Sequence, residues 1–239
     1  MKSILILGAT SSIAKACAEI FASRHYNLFL GGRDLFELKR LSQDLRIRFK
    51  VNVDYAFFDI MLLNKHRSFF EKMLEKIGSV HGVLMAIGLL DKQYFPTEII
   101  TANFSGPVSI LDICANYLSS QKKGFIIGLS SVAGDRGRQS NYVYGASKSA
   151  LTTYLQGLRG YLHQYQVHVL TVKLGLIDTK MTFGGSYPLF LAAGPQKTGL
   201  KIINALDNGK ESVYIPKVWW IIMLIIRLIP EKIFKYLKI

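Results

Sequence analysis

The stretch SILILGATSSIAKACAEIFASR, Ser3 to Arg24, decides how the chain folds. Ser3–Leu7 is a short run of isoleucine and leucine, which reads as a strand buried on both faces of a parallel sheet. It enters a turn of small residues, Gly8-Ala9-Thr10-Ser11-Ser12-Ile13-Ala14, and then a helix-period stretch to about Arg24. Strand, small-residue turn and helix start make a nucleotide-binding unit. Backbone N–H groups at the helix N-terminus face a pyrophosphate, and small side chains let the backbone come close. Gly8, Ser11, Ser12 and Ile13 are the expected contacts. Gly8 is the one glycine of the turn, which also reads as an ordinary connection with Ser12 as N-cap. The rest of the chain has to decide.

Working outward, strands and helices alternate. Tyr26–Leu30 is a second strand ending in Gly31-Gly32-Arg33-Asp34. In a dinucleotide fold an acid at this tip accepts the ribose 2′-hydroxyl, and an arginine suits a 2′-phosphate. Here glycine holds the tip, Arg33 follows and Asp34 reads as the next N-cap, so the tip favours NADP over NAD. Val51–Phe58 is a third strand, followed by Asp59-Ile60. Leu62–Ile77 is helical, and Val80–Ala86 is a fourth strand ending at Ile87-Gly88. Thr97–Leu118 is helical and carries Asn103 and Gly106. Gly124–Leu129 is a fifth strand, Asn141–Gln164 a helix, Val167–Leu174 a sixth strand. Gln196–Asp207 is a helix and Ser212–Ile215 a last edge strand. Such alternation implies a doubly wound parallel α/β sheet with right-handed crossovers. One domain covers residues 1–216, and residues 217–239 form an apolar tail. Between the sixth strand and the helix at Gln196, Gly175–Pro195 breaks the rhythm and reads as a mobile flap over an apolar ligand.

Chemistry concentrates in SVAGDRGRQSNYVYGASK, Ser131 to Lys148. Tyr144 and Lys148, four apart, share one helical face. Ser131 follows the fifth strand, so a phenol, an ammonium and a hydroxyl can meet at a strand end. A nearby cation lowers a phenol's pKa from about 10. Tyr144 can then protonate a carbonyl oxygen while the carbon takes hydride from a nicotinamide. Tyr-x-x-x-Lys alone is a common pair, so its neighbours carry the argument.

The 239 residues are 50% hydrophobic and 19% charged, which argues against disorder. Cys17 and Cys114 lie in apolar helical patterns and read as reduced thiols of a cytoplasmic protein. No signal peptide is expected, since the N-terminus runs straight into a strand. The net charge of +14 admits nucleic acid, anionic lipid or phosphorylated partners. No nucleic-acid-binding motif accompanies it, so lipid or phosphate is favoured and nucleic acid is not expected. No metal site is expected either.

Taken together, these motifs resemble the short-chain dehydrogenase/reductase family over roughly residues 3–216. The turn Gly8–Ala14, Asp59, Gly88, Asn103, Ser131, Tyr144, Lys148, and Gly175 with Ile177 and Thr179 fall in the family's order. The resemblance implies a Rossmann-type sheet of about seven strands, order 3-2-1-4-5-6-7. It implies Tyr144 as general acid/base, and Lys148 as the group that holds the nicotinamide ribose and lowers the Tyr144 pKa. Ser131, picked over Ser130 by the family's spacing, would bond the substrate oxygen. Asn103 would support a proton relay through water. Asp59 and Ile60 would border the adenine, Ala86 and Gly88 the cofactor, and Gly175, Ile177 and Thr179 the nicotinamide side. The chain departs from the family's pattern at Ser12 and Ala14 in the turn, at Ala86-Ile87, and at Leu174.

Within the family, the closer resemblance is to the decaprenylphosphoryl-2-keto-erythro-pentose reductases. It rests on Ile87-Gly88-Leu89-Leu90, on Gly134-Asp135-Arg136 and Asn141–Gly145, and on the tail's Arg227-Leu228-Ile229-Pro230, Ile233-Phe234 and Leu237. It implies a keto sugar on a polyprenyl phosphate as substrate, an FAD-dependent oxidase as partner, and a homo-oligomer. The alternatives are a reductase of a soluble carbonyl such as a 3-oxoacyl thioester or steroid, and a non-catalytic dinucleotide-binding protein at a membrane.

The tail, VWWIIMLIIRLI followed by PEKIFKYLKI, is too short an apolar run to cross a bilayer, which takes about 20 residues. Tryptophans beside an apolar helix, with Lys232, Lys235 and Lys238 after it, suit an interfacial helix on the inner face of a membrane. The same run also suits a helix packed on protein.

Overall fold

The computed structural model describes residues 2–90, 93–179 and 191–237. Seven strands form one parallel sheet: β1 (Ser3–Leu7), β2 (Asn27–Gly32), β3 (Val53–Phe57), β4 (Gly82–Met85), β5 (Gly124–Ser131), β6 (Val167–Leu174) and β7 (Ser212–Ile215). Their order is β3-β2-β1-β4-β5-β6-β7, so the winding reverses between β1 and β4. A crevice opens at that switch point, outside the carboxyl ends of the strands.

Successive side chains of a strand face opposite ways. Ile4 and Ile6 therefore join a core with Ala14 and Cys17 of α1 (Ser12–Ser23), Leu38 of α2 (Leu35–Phe49) and Ile202 of α7 (Pro195–Asp207). Leu5 and Leu7 join a second core on the other face. It contains Met73 of α3 (His66–Ile77), Leu111 of α5 (Gly106–Gln121) and Leu155 of α6 (Tyr142–His163).

Several element ends differ from expectation, each for a local reason. β2 runs on through Gly31 and Gly32, where a Cβ on Gly31 would come within 2.9 Å of Leu7. β5 continues to Ser131, which pairs with Leu174. β3 and β4 are shorter than their apolar runs, although the His81 and Ala86 amides still donate to β1 carbonyls. Ser11, not Ser12, caps α1: its Oγ accepts from the Ala14 amide at 3.3 Å. Asp34 caps α2 as expected, accepting from the Glu37 amide at 3.0 Å.

The helix expected over Thr97–Leu118 begins as α4 (Pro96–Ile100), passes through a π-helical turn at Thr101–Ser105 and continues as α5. A Cβ on Gly106 would lie 2.5 Å from the Ile60 carbonyl oxygen, so only glycine lets the helix pass so close. The flap expected over Gly175–Pro195 has its centre, residues 180–190, outside the described residues. Its ends meet at an Ile177–Ala193 bridge.

The tail forms α8 (Val218–Leu228) and α9 (Glu231–Phe234); its expected cation Lys238 lies outside the described residues. Met223 is the one buried residue of α8, while Trp220, Ile225 and Leu228 are 56%, 59% and 74% exposed. Among the described residues no helix is long and apolar enough to cross a membrane.

Candidate functional site

The crevice encloses about 940 Å³. Gly8, Ser11, Ser12 and Ile13 form its floor at the start of α1, where first-turn amides lack helical carbonyl partners. Gly8 has φ +78°, and a Cβ there would sit 2.8 Å from Ile87 and 2.9 Å from the Ala86 carbonyl oxygen. Glycine is thus required by backbone angle and by space. Arg33, Asp59, Ile60, Ala86, Gly88, Tyr144, Lys148 and Thr179 also line the crevice.

The α2 end is ionic. Arg40 donates to the Glu37 carboxylate twice, each at 2.8 Å, and Lys15 bonds to it from α1. The Arg40 and Lys15 bonds hold the Glu37 carboxyl down at about 2. These three crevice residues were not anticipated from the sequence, because only the packing of α1 beside α2 brings Lys15 to Glu37. The Glu37–Arg40 spacing of three was the one legible trace. Asp59 turns its carboxylate to the Met61 amide at 3.0 Å, fixing the loop after β3.

The other end is dry. Lys148 is buried on α6, and its Nζ donates to the Leu129 carbonyl at 3.2 Å. Nζ lies 5.9 Å from the Tyr144 ring centroid. A Cβ on Gly88 would stand 3.2 Å from that Nζ and 3.7 Å from Asn103 Oδ1, so the lysine, the asparagine and the loop after β4 converge at one point. Ser131, at the end of β5, donates to the Leu174 carbonyl at 3.3 Å and accepts from the Ala133 amide at 3.1 Å. It also hydrogen-bonds the Tyr144 side chain. Ser130 reaches the crevice wall, but its hydroxyl is committed to α6, donating to the Lys148 carbonyl at 3.0 Å.

Asn103 stands behind the lining, fully buried in the π turn. Its amide clamps the Leu89 peptide from both sides, donating to the carbonyl at 2.8 Å and accepting from the N–H at 2.7 Å. It also donates to Ser147 Oγ at 3.2 Å, and Ser147 in turn bonds the Tyr144 carbonyl. The side chain therefore positions the loop after β4 and the Tyr144 turn. Gly175 and Ile177 do not reach the crevice. The Gly175 amide donates to the Ile215 carbonyl at 2.9 Å, and Ile177 is buried.

Electrostatics at this end differ from expectation. Burial pushes the half-buried Tyr144 phenol up, against the opposing Ser131 hydrogen bond and Arg138 charge. Burial likewise pushes the Lys148 ammonium down to about 8. Desolvation favours the neutral form of both groups. In the protein alone the lysine therefore does not acidify the phenol. Its Nζ instead donates to the Leu129 carbonyl.

Comparison with known proteins yields a coherent set. A family model described as short chain dehydrogenase matches residues 2–184. An uncharacterized oxidoreductase of Mycobacterium tuberculosis is 27% identical, covering 97% of this chain and 95% of that one. One from Streptomyces coelicolor is 27% identical, over 100% and 96%. Among solved structures, a short-chain dehydrogenase from Sphingobium yanoikuyae in complex with NADPH superposes with TM-score 0.81 at 21% identity, over 90% and 88% of the two chains. The bulky-bulky ketone specific alcohol dehydrogenase of Comamonas testosteroni does so with TM-score 0.79 at 20% identity, over 97% and 96%.

Proposed function

The chain belongs to the short-chain dehydrogenase family, and from that premise we propose that it reduces a ketone to a secondary alcohol with NADPH. We infer further that the ketone is that of a keto sugar carried on a polyprenyl phosphate. The observation that carries the first part is that Tyr144 and Lys148 line the crevice, with Ser131 behind them beside the Tyr144 phenol. The second part is supported by the family branch whose motifs the tail shares and by the exposed apolar face of α8.

The residues present fit a dinucleotide. Gly8 leaves room for a pyrophosphate over the start of α1, and Gly88 leaves room beside Lys148 for a ribose. Arg33, with Lys15 and Arg40 nearby, offers cations to a 2′-phosphate, while Asp59 and Ile60 border the adenine. When bound, the reduced nicotinamide supplies the hydride. Ser131 holds the ketone oxygen. Tyr144 passes its proton to that oxygen as the carbon becomes tetrahedral. Lys148 binds the ribose hydroxyls and, charged below about pH 8, favours the tyrosinate left behind until water restores its proton. Asn103 keeps the Leu89 peptide and the Tyr144 turn in place, the anchorage that a relay through water needs.

The exposed apolar side of the tail supports a position at the inner face of a membrane. Trp220, Ile221, Ile225 and Leu228 meet lipid, with Lys217, Arg227, Lys232 and Lys235 facing anionic headgroups. An FAD-dependent oxidase would supply the ketone by oxidising the sugar's hydroxyl. α5 and α6 are the proposed contacts of a homo-oligomer. The deciding experiment follows NADPH consumption with a polyprenyl-phosphate keto sugar. Turnover is expected, and activity confined to 3-oxoacyl thioesters or steroids would replace this substrate.

A further inference from the structure

Arg136 lies five residues beyond Ser131, and its guanidinium holds the C-terminal segment by five contacts. It donates to the carbonyls of Ile226 at 2.7 Å, Arg227 at 3.1 Å and Ile229 at 2.5 Å, which end α8. It bonds the Glu231 carboxylate at 2.9 Å and lies 3.8 Å over the Phe234 ring. A helix C-terminus presents unpaired carbonyls and partial negative charge, and a fork of donors satisfies both. The arginine side chain is 14% exposed, whereas Glu231 is 79% exposed, so the bonds to the helix-end carbonyls rather than the ion pair carry the contact.

The loop that carries Arg136 is anchored in turn. The Asp135 side chain is 4% exposed and bonds Lys173 of β6 at 2.6 Å and the Tyr214 hydroxyl of β7 at 2.7 Å. At its other end α8 presses Trp219 on Gly175, where any Cβ would come within 2.1 Å of the indole. Gly175 follows Leu174, whose carbonyl accepts from Ser131. The eleven residues of α8, about 16 Å long, thus bridge the loops after β5 and β6. Substrates enter doubly wound sheets on that side.

We propose that Arg136 is a positioning residue that latches the C-terminal segment across the substrate side of the active site, so that α8 selects ketones bearing long apolar chains. The selection rests on the lipid-linked reading above; the latch does not. Both tryptophans of the chain, Trp219 and Trp220, lie at the start of α8, so tryptophan emission reports whether the helix stays seated when its far end is released.

The test compares wild type, Arg136→Ala and Arg136→Lys by tryptophan emission, acrylamide quenching, and kinetics with alkyl ketones of short and long chain. Arg136→Ala should shift emission to the red, increase quenching and raise KM for the long-chain ketone about tenfold. Its kcat and its KM for the short-chain ketone should change less than about twofold. Arg136→Lys keeps the charge but not the fork, and should recover only part of the effect. Unchanged emission in Arg136→Ala, or equal KM changes for both ketones, overturns the proposal. Should that variant fail to fold, Phe234→Leu, which removes only the ring under the guanidinium, carries the same expectation at smaller size. If the wild type consumes neither ketone, the reductase reading falls, chain selection falls with it, and emission still decides the latch.

Discussion

The two ends of the crevice are built from opposite physics. At the α2 end Lys15, Glu37 and Arg40 meet near solvent, and Coulomb attraction sets the charge state of Glu37. At the α6 end Tyr144 and Lys148 are withdrawn from water, and that loss of solvent is the main influence on their charge states. The first kind of site is screened by salt and tolerates rearrangement; the second is indifferent to salt and intolerant of an unpaired charge. One cofactor spanning both would thus be gripped adjustably at its adenosine end and rigidly at its reactive end.

The largest effect should come from breaking the dry end. Tyr144→Phe removes the proton donor while keeping the ring, and turnover should fall about 10²–10⁴-fold in steady-state assays. Comparable turnover of the two proteins would end the mechanism given above.

Next is Lys148→Met, read as stability rather than activity. In the cofactor-free protein the lysine's usual value near 10.5 drops to about 8, a displacement worth about 3 kcal/mol. Between those values the unfolded chain binds the proton that the folded chain has released, so stability should rise as pH climbs from about 8 to 10.5. Below pH 8 the full strain of a buried charge is present. Lys148→Met should therefore be the more stable protein at neutral pH and should flatten that rise. Denaturant melts across the range would show it, and a parallel rise in both proteins would refute it.

The ionic end should yield smaller changes. Arg33→Ala should weaken NADPH binding about tenfold and spare NADH, the gap narrowing in high salt. Equal losses for both cofactors would remove the preference for NADP. Glu37→Gln frees Lys15 and Arg40 from their carboxylate, so NADPH should bind about two- to threefold tighter, with NADH unchanged, by titration.

Much of the scaffold was readable because it depends on local pattern. β1, β6 and β7 have the expected bounds, and the sheet order follows from the family resemblance. Strand ends were less readable wherever pairing outlasts apolar sequence, as at Gly31-Gly32 and Ser130-Ser131. Tyr144 and Lys148 were legible because a spacing of four puts them on one helical face. Ser131 was legible only through its family position, and nothing local separates it from Ser130. What separates them is that Ser130 bonds backbone on α6 and Ser131 bonds the phenol. The approach of Lys15 to Glu37 and the Arg136 latch were invisible, since each joins separate elements of the chain. The direction of the Tyr144 shift was missed for a related reason: charge spacing can be counted along a sequence, but the loss of solvent cannot.

The π turn at Thr101–Ser105 bears on how this region tolerates change. It holds one residue more than an α-helical turn, and Asn103 is inside it. Deleting a single position there would restore ordinary winding and swing everything on one side of the cut by about 100° around the axis. Asn103 would leave the Leu89 peptide even though no functional group had been removed. Along this segment, insertions and deletions should be far more damaging than most replacements, and its length is as much a determinant of the active centre as its letters.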